Sequence, residues 1–478
     1  MNQPETASVI SSKTEVSSAE YFAQRQLKQG TVGWLLLIGL GVAYVISGDF
    51  AGWNFGIAQG GWGGMFIATA LAAIMYLCLC LSMSEMSTMM PTAGGGYSFA
   101  RAAFGPFGGY LTGTAILIEY AIAPAAIAVF IGGYCESLFG INGWMIYLAC
   151  YAIFMGIHLK GAGEALKIMF AITLVAAVAL VVFIVAMIPH FNAQNLFDIP
   201  VGTDVGASLF LPHGYLGIWA TVPFAIWFFL AVEGVPLAAE EAKDPAKSLP
   251  RGLIGAMLIL TAFAMLILFL GAGAAGASTL QNSGAPLVDA LVKVYGTNTW
   301  LATFVNFVGL AGLIASFFSI IYAYSRQIFA LSRAGYLPTS LSLTNKNKAP
   351  YLAIIIPGII GFLLSLTKEG DSLILIAVFG ATISYVLILL SHIKLRLSKP
   401  DMPRPYKTPG GIVTSSIALV LAVAAVVAGF VVNPKVWFIA AAIYVVFIAY
   451  FLFYSRYHLV KGTPEEEFAN IKAAEQEL

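Results

Sequence analysis

Three carboxylic acids interrupt stretches that are otherwise apolar. Asp49 sits in Ser47-Gly48-Asp49-Phe50-Ala51-Gly52, Glu233 in Ala231-Val232-Glu233-Gly234-Val235-Pro236, and Glu119 in Leu117-Ile118-Glu119-Tyr120-Ala121-Ile122-Ala123-Pro124. An acid in such surroundings costs about 3 kcal/mol to place at the centre of a bilayer, so it normally faces a partner or a water-filled cavity. The chemistry open to these groups is electrostatic: holding a cation, or binding and releasing a proton. Each also has a plainer reading. Asp49 can cap a helix start, Glu233 can be a buried hydrogen-bonding group, and Glu119 can be held by hydroxyls between the third and eighth spans. No nucleophile stands beside a base in a pattern that suggests an enzyme.

The elements that must position these acids are membrane helices. Of 478 residues, 59% are hydrophobic and only 10% charged, and the mean hydropathy is +0.87. A water-soluble chain carries about a quarter charged residues. The net charge of +1 leaves no basic field for nucleic acid. Nearly the whole chain divides into apolar runs of the roughly 20 residues a bilayer crossing needs, without the alternation of a barrel. The expectation is an all-α polytopic membrane protein of twelve transmembrane helices. Residues 1–30 and 457–478 read as cytoplasmic tails, 189–213 as an external loop, and 408–456 as the last two helices. With the N-terminus inside, only Lys293, Lys368 and Lys435 among the basic residues fall outside, and Pro189 to Gly214 holds no Lys or Arg, as an external loop should.

Two of the acids lie at interruptions. The first span runs Trp34 to Ile46 and then meets Ser47 to Gly52. The sixth runs Ile218 to Leu230 and then meets Ala231 to Pro236. Glycine tolerates unwound backbone and Pro236 removes a helix hydrogen bond. Interruptions at corresponding positions of two halves point to a transporter's binding site. Spans one and six are five apart, an odd number, so two five-helix units lie in opposite orientations. The expected architecture is a 5+5 inverted repeat, residues 31–188 and 214–396, with broken helices one and six.

Four segments carry a resemblance to the amino acid–polyamine–organocation transporters. Ile46-Ser47-Gly48-Asp49-Phe50 is similar to that superfamily's G-S-G-I-F break. Ser84-Glu85-Met86 through Pro91, Gly94-Gly95-Gly96-Tyr97-Ser98-Phe99 and Arg101 resembles its motif after helix two. Ala239-Glu240-Glu241-Ala242-Lys243-Asp244-Pro245, ending at Pro250-Arg251, resembles its A-E-E-x-K-[ND]-P segment after helix six. Ser332 to Pro338 resembles the loop after helix eight. Within the superfamily, Ile46 to Ile57 and the run Leu117 to Pro124 are most similar to bacterial ethanolamine permeases.

The resemblance implies a secondary transporter of the bacterial cytoplasmic membrane that imports ethanolamine by alternating access, with no cofactor or metal. Another amine, choline or an amino acid is the alternative cargo. Amino acid carriers of this family offer the backbone amides of an unwound Ser-Gly to the substrate carboxylate. Here Asp49, directly after Ser47-Gly48, would repel a carboxylate and attract an ammonium. The resemblance further implies that carbonyls of Tyr44, Trp227 and Leu230 accept from the ammonium, that Trp227 forms part of a gate, and that Glu233 serves proton-dependent gating. Phe50, Phe229 and Tyr322 offer aromatic faces, each worth about 0.5–2 kcal/mol to a cation. The spans hold no Lys or Arg that compensates the acids. Glu85, Glu240 and Glu241 are expected in structural pairs with Arg101, Lys243 or Arg251. The mid-helix lysine that serves some relatives as a proton carrier is missing from Thr173 to Ala177. Coupling therefore falls to a proton through Glu233, or to sodium at Ser316 and Ser319. Gly271 to Gly276 matches a dinucleotide fingerprint but ends an apolar span, so it reads as a small-residue packing face.

Overall fold

The computed structural model describes residues 30, 32–297 and 299–460, and the outer parts of both expected tails, 1–29 and 461–478, lie outside the described residues. It is all helical. Among the described residues, nine helices are long and apolar enough to cross a membrane, and three shorter apolar ones, Trp34–Val45, Trp144–Leu159 and Tyr351–Ser365, complete the expected twelve spans. Span one is Trp34–Val45 with its continuation into Asn54–Met89, where Gly61 (φ +71) separates it from span two. Spans three to five are Gly96–Phe139, Trp144–Leu159 and Ala162–Met187. Span six is Gly214–Trp227 with the 3-10 segment Val232–Glu241, and spans seven to ten are Pro245–Ala275, Trp300–Arg333, Tyr351–Ser365 and Gly370–Ser398. Ile412–Val432 and Pro434–Phe453 are the last two.

Without a hydrophobic force between helices in lipid, association rests on close backbone approach and on hydroxyls that find partners. Gly380 of span ten shows the first device. A Cβ there would lie 2.5 Å from the Ala115 carbonyl oxygen and 2.8 Å from the Glu119 nitrogen of span three, so span ten rests directly on the backbone that carries Glu119. The Gly271 to Gly276 stretch packs as expected, with Gly271 beside Phe183 and Gly273 against Phe191. The loop 189–213 is not loose: its 3-10 turn Ala193–Phe197 is tied to span seven by Asn195, whose amide donates to the Gly273 carbonyl at 2.9 Å.

One face is braced by ion pairs. Glu85, near the end of span two and 1% exposed, accepts from Arg396 at 2.5 Å and 3.0 Å. It also accepts from Arg404 at 2.9 Å and from the Thr408 amide at 2.7 Å, with His392 at 3.4 Å. The expected partners of the three acids are corrected here. Glu85 takes Arg396 and Arg404, Glu240 takes Arg333, and Glu241 takes Arg326. All of these arginines come from spans eight and ten or the segment after span ten, far from Glu85, Glu240 and Glu241 in sequence, which is why neighbouring charges misled the reading. Replacing Glu85 by Ala strands two guanidinium groups, and breaking a buried pair in this way costs about 3–5 kcal/mol. Thermal unfolding of the detergent-solubilised protein is expected to fall strongly for Glu85→Ala, and less for Arg396→Ala, whose side chain is 23% exposed.

Candidate functional site

The two interrupted helices meet at their breaks. Span one pauses at Ile46, resumes for one turn at Ser47–Phe50, and unwinds only at Ala51 to Trp53, where Gly52 has φ +99. Span six ends its α-helical part at Trp227 and turns through Phe228 to Ala231, the last with φ +77. Both breaks are displaced from expectation: Ser47 to Phe50 stay helical, and the break in span six precedes Glu233. The reason is where freed backbone groups find partners. The Ala51 carbonyl accepts from the Trp227 indole at 3.0 Å and the Phe50 carbonyl from the Tyr134 hydroxyl at 2.9 Å, so unwinding is tolerated after Phe50. Gly48 lies flat on span six, and a Cβ there would stand 2.5 Å from the Trp227 carbonyl oxygen.

A narrow cavity of about 10 Å³ lies between the breaks, lined by Tyr44, Val45, Ser47, Trp227, Leu230 and Ile320. Tyr44, Ser47, Trp227 and Leu230 were expected at the site, and Val45 and Ile320 were not. These side chains are at most 3% exposed, so the cavity is occluded. Ile320 is its lining residue from span eight, and beside it runs a chain of hydroxyls. Ser316 donates to the Tyr44 carbonyl at 2.6 Å and shares a hydrogen bond with Ser47 at 2.8 Å, while Ser319 donates to the Ser316 carbonyl at 3.0 Å. The Tyr44 carbonyl and the two serines thus already hold one another, and together they stitch span one to span eight.

The acids fall into two groups. Asp49 is fully buried, both its oxygens lack a hydrogen-bond partner, and it does not line the cavity. Glu119 and Glu233 are neighbours, and the Glu119 carboxyl also faces the backbone of Ala231. This corrects the placement of Glu119 between spans three and eight: it meets spans six and ten. Tyr120 donates to Glu233 at 3.2 Å, Tyr385 stands beside Glu233, and Tyr385 and Tyr76 share a hydrogen bond at 2.8 Å. Phe229 packs on Tyr76, ring centres 5.5 Å apart, and Phe50 packs against Gly309 and Gly312. Neither ring lines the cavity.

Tyr322 is also relocated. Its hydroxyl donates to Glu241, and the Arg326 guanidinium lies 4.0 Å from its ring centre while pairing with Glu241 at 3.3 Å. Arg326, 2% exposed on span eight, is a buried cation within an apolar span. It compensates Glu241, not the three acids at the breaks. Beside it Arg333 binds Glu240 at 2.7 Å, Glu240 accepts from the Ala93 amide at 2.9 Å, and Val32 pairs with the backbone around Ala242. These contacts close the face that carries Val32. On the opposite side Asn54 donates to the carbonyls of Leu280 and Ser283 at 3.0 Å and 2.8 Å. The residues missed were Arg326, Tyr76, Tyr120 and Tyr385. An arginine within an apolar helix was a visible signal, whereas three tyrosines in a chain that is 13% aromatic were not.

Comparison with known proteins agrees with this geometry. The profile of the amino acid permease family matches residues 6–453. A branched-chain amino acid permease of Bacillus subtilis (strain 168) is 28% identical over 412 residues, covering 80% of this chain and 84% of that one. An uncharacterized transporter of Rhizobium meliloti (strain 1021) is 27% identical over 392 residues, covering 80% and 83%. A methylthioribose transporter of Bacillus subtilis (strain 168) is 25% identical over 398 residues, covering 78% and 81%. A matching profile over nearly the whole chain, twelve spans and two broken helices enclosing a cavity lead to one conclusion: this chain belongs to the amino acid permease family of the amino acid–polyamine–organocation superfamily, and is a membrane transporter rather than an enzyme.

Proposed function

We propose that this permease imports a small organic ammonium compound, ethanolamine first among the candidates, across the bacterial cytoplasmic membrane by alternating access with proton coupling. One contrast carries the reading. Glu85, Glu240 and Glu241 each hold a guanidinium partner, whereas Asp49, Glu119 and Glu233, all beside the breaks, have no ion pair among the described residues. Buried carboxyls without cations are stabilised by protons or by a cationic guest. A substrate with its own carboxylate would add to the negative charge; an amine without one relieves it. The aromatic rings of Tyr44 and Trp227 and the Ser47 hydroxyl suit an ammonium bearing a hydroxyl. In this reading the face with Val32 and the arginine pairs is cytoplasmic, and substrate leaves when those pairs part.

A second reading, a neutral amino acid as cargo, draws on the cavity lining itself. No carboxylate lines it, and a relative is named for branched-chain amino acids. Uptake into proteoliposomes separates the two. Labelled ethanolamine should accumulate when an inward proton gradient is imposed at fixed sodium, unlabelled leucine should not compete, and Asp49→Ile should reduce uptake at least tenfold. Accumulation of leucine but not ethanolamine would overturn the amine reading. Sodium dependence without any response to the proton gradient would overturn proton coupling.

A further expectation concerns the contact between the breaks. Gly48→Ala places a methyl group into the Trp227 carbonyl, an overpacking that typically costs about 1–3 kcal/mol. The variant should purify as a monodisperse protein, yet lose at least tenfold in uptake of whichever substrate the native permease carries.

A further inference from the structure

The residue that the family resemblance leaves without a role is Glu119. It is fully buried on span three, with neither carboxyl oxygen hydrogen-bonded. Its neighbour Glu233, 3% exposed, lies on the segment directly after the break in span six. Two carboxylates side by side in a dry interior repel each other, and such a pair is relieved when one proton is shared between them. Among the described residues, the titratable groups around the pair are tyrosines: Tyr44 from span one, Tyr76 from span two, Tyr120 from span three and Tyr385 from span ten, with Cys80 of span two nearby. None is basic. Arg326 is occupied by Glu241.

The position of the pair gives it leverage. The Glu119 carboxyl faces the backbone of Ala231, the non-glycine residue with φ +77 on which the break in span six turns. A left-handed alanine is strained and persists only when its surroundings hold it. On the other side, the Tyr44 ring packs over Gly234, 3.1 Å from where a Cβ of that residue would stand, and Tyr44 lines the cavity. The pair therefore adjoins the hinge of span six at Ala231, and the residue after Glu233, Gly234, lies against the cavity residue Tyr44.

We propose that Glu119 and Glu233 form one proton-binding site, a carboxyl pair that holds a single shared proton while the cavity is occluded and that governs the break at Ala231 as this proton comes and goes. The proton arrives from water on the open side and adds to one carboxylate oxygen, whose O–H then donates to the other carboxylate. Its release to the opposite side restores two carboxylates, whose repulsion drives span six away from span three. The site is thus a coupling device shared between spans three and six, and it rests on the proton-coupled reading above.

The test compares Glu119→Gln, Glu233→Gln and Glu119→Asp in proteoliposomes. Both Gln variants should lose gradient-driven accumulation at least tenfold, and the pH dependence of the remaining substrate counterflow should flatten equally in both. Glu119→Asp should restore part of the gradient response. If Glu119→Gln keeps the native pH profile while Glu233→Gln loses it, the pair is overturned and Glu233 acts alone. Infrared difference spectra of the purified proteins across pH give a readout that needs no substrate. A protonated-carboxyl band altered in both Gln variants supports the shared site even if the native protein fails to transport ethanolamine. A band untouched by Glu119→Gln overturns the shared site whatever the cargo.

Discussion

The rest of this structure depends on a constraint of the bilayer: backbone groups released from a helix within the membrane must be satisfied by protein. Two helices are broken here, and the carbonyls freed in span one find donors on spans six and three. The Trp227 indole, at the end of the helical part of span six, binds the Ala51 carbonyl of span one, and Tyr134 of span three binds the Phe50 carbonyl. Gly48 allows the approach, since any side chain would strike the Trp227 carbonyl. Once the breaks are locked face to face, the cavity between them, the serine chain to span eight and the exit of span six past Glu233 follow from the geometry.

Charge is distributed according to the same logic. On the face with Val32, acids from the ends of spans two and six meet arginines from spans eight and ten and the segment beyond it, and the pairs tie together elements remote in sequence. Near the breaks the acids have tyrosine neighbours or none. Paired charges suit positions that hold a conformation, and unpaired ones suit positions whose charge changes during a cycle. Tyr44 joins the two regions, with its ring in the cavity wall and over Gly234, and its carbonyl bound by Ser316.

The family profile that matches residues 6–453 establishes the family, and leaves cargo to the side chains at the breaks. Asp49 shows how position and environment differ. Its place after Ser47-Gly48 suggested a ligand, yet the one helical turn of Ser47–Phe50 carries it off the cavity wall, buried and without a hydrogen bond.

The sequence by itself determined the membrane fold, the span count and the pair of interruptions, because these depend on hydropathy, on glycine and proline, and on the odd spacing of five helices. It also marked the three acids, since a carboxylate in an apolar run stands out. Tertiary structure alone decided what each acid meets. Glu119 and Glu233 are far apart in the chain and become neighbours only in the folded bundle, where Gly380 of span ten rests on the backbone that carries Glu119. Tyr322 looks like a site aromatic until Arg326, one helical turn along, draws it to Glu241. The breaks themselves shifted by a few residues, since unwinding occurs where another helix offers a hydrogen bond, and that offer is made across space and not along the chain.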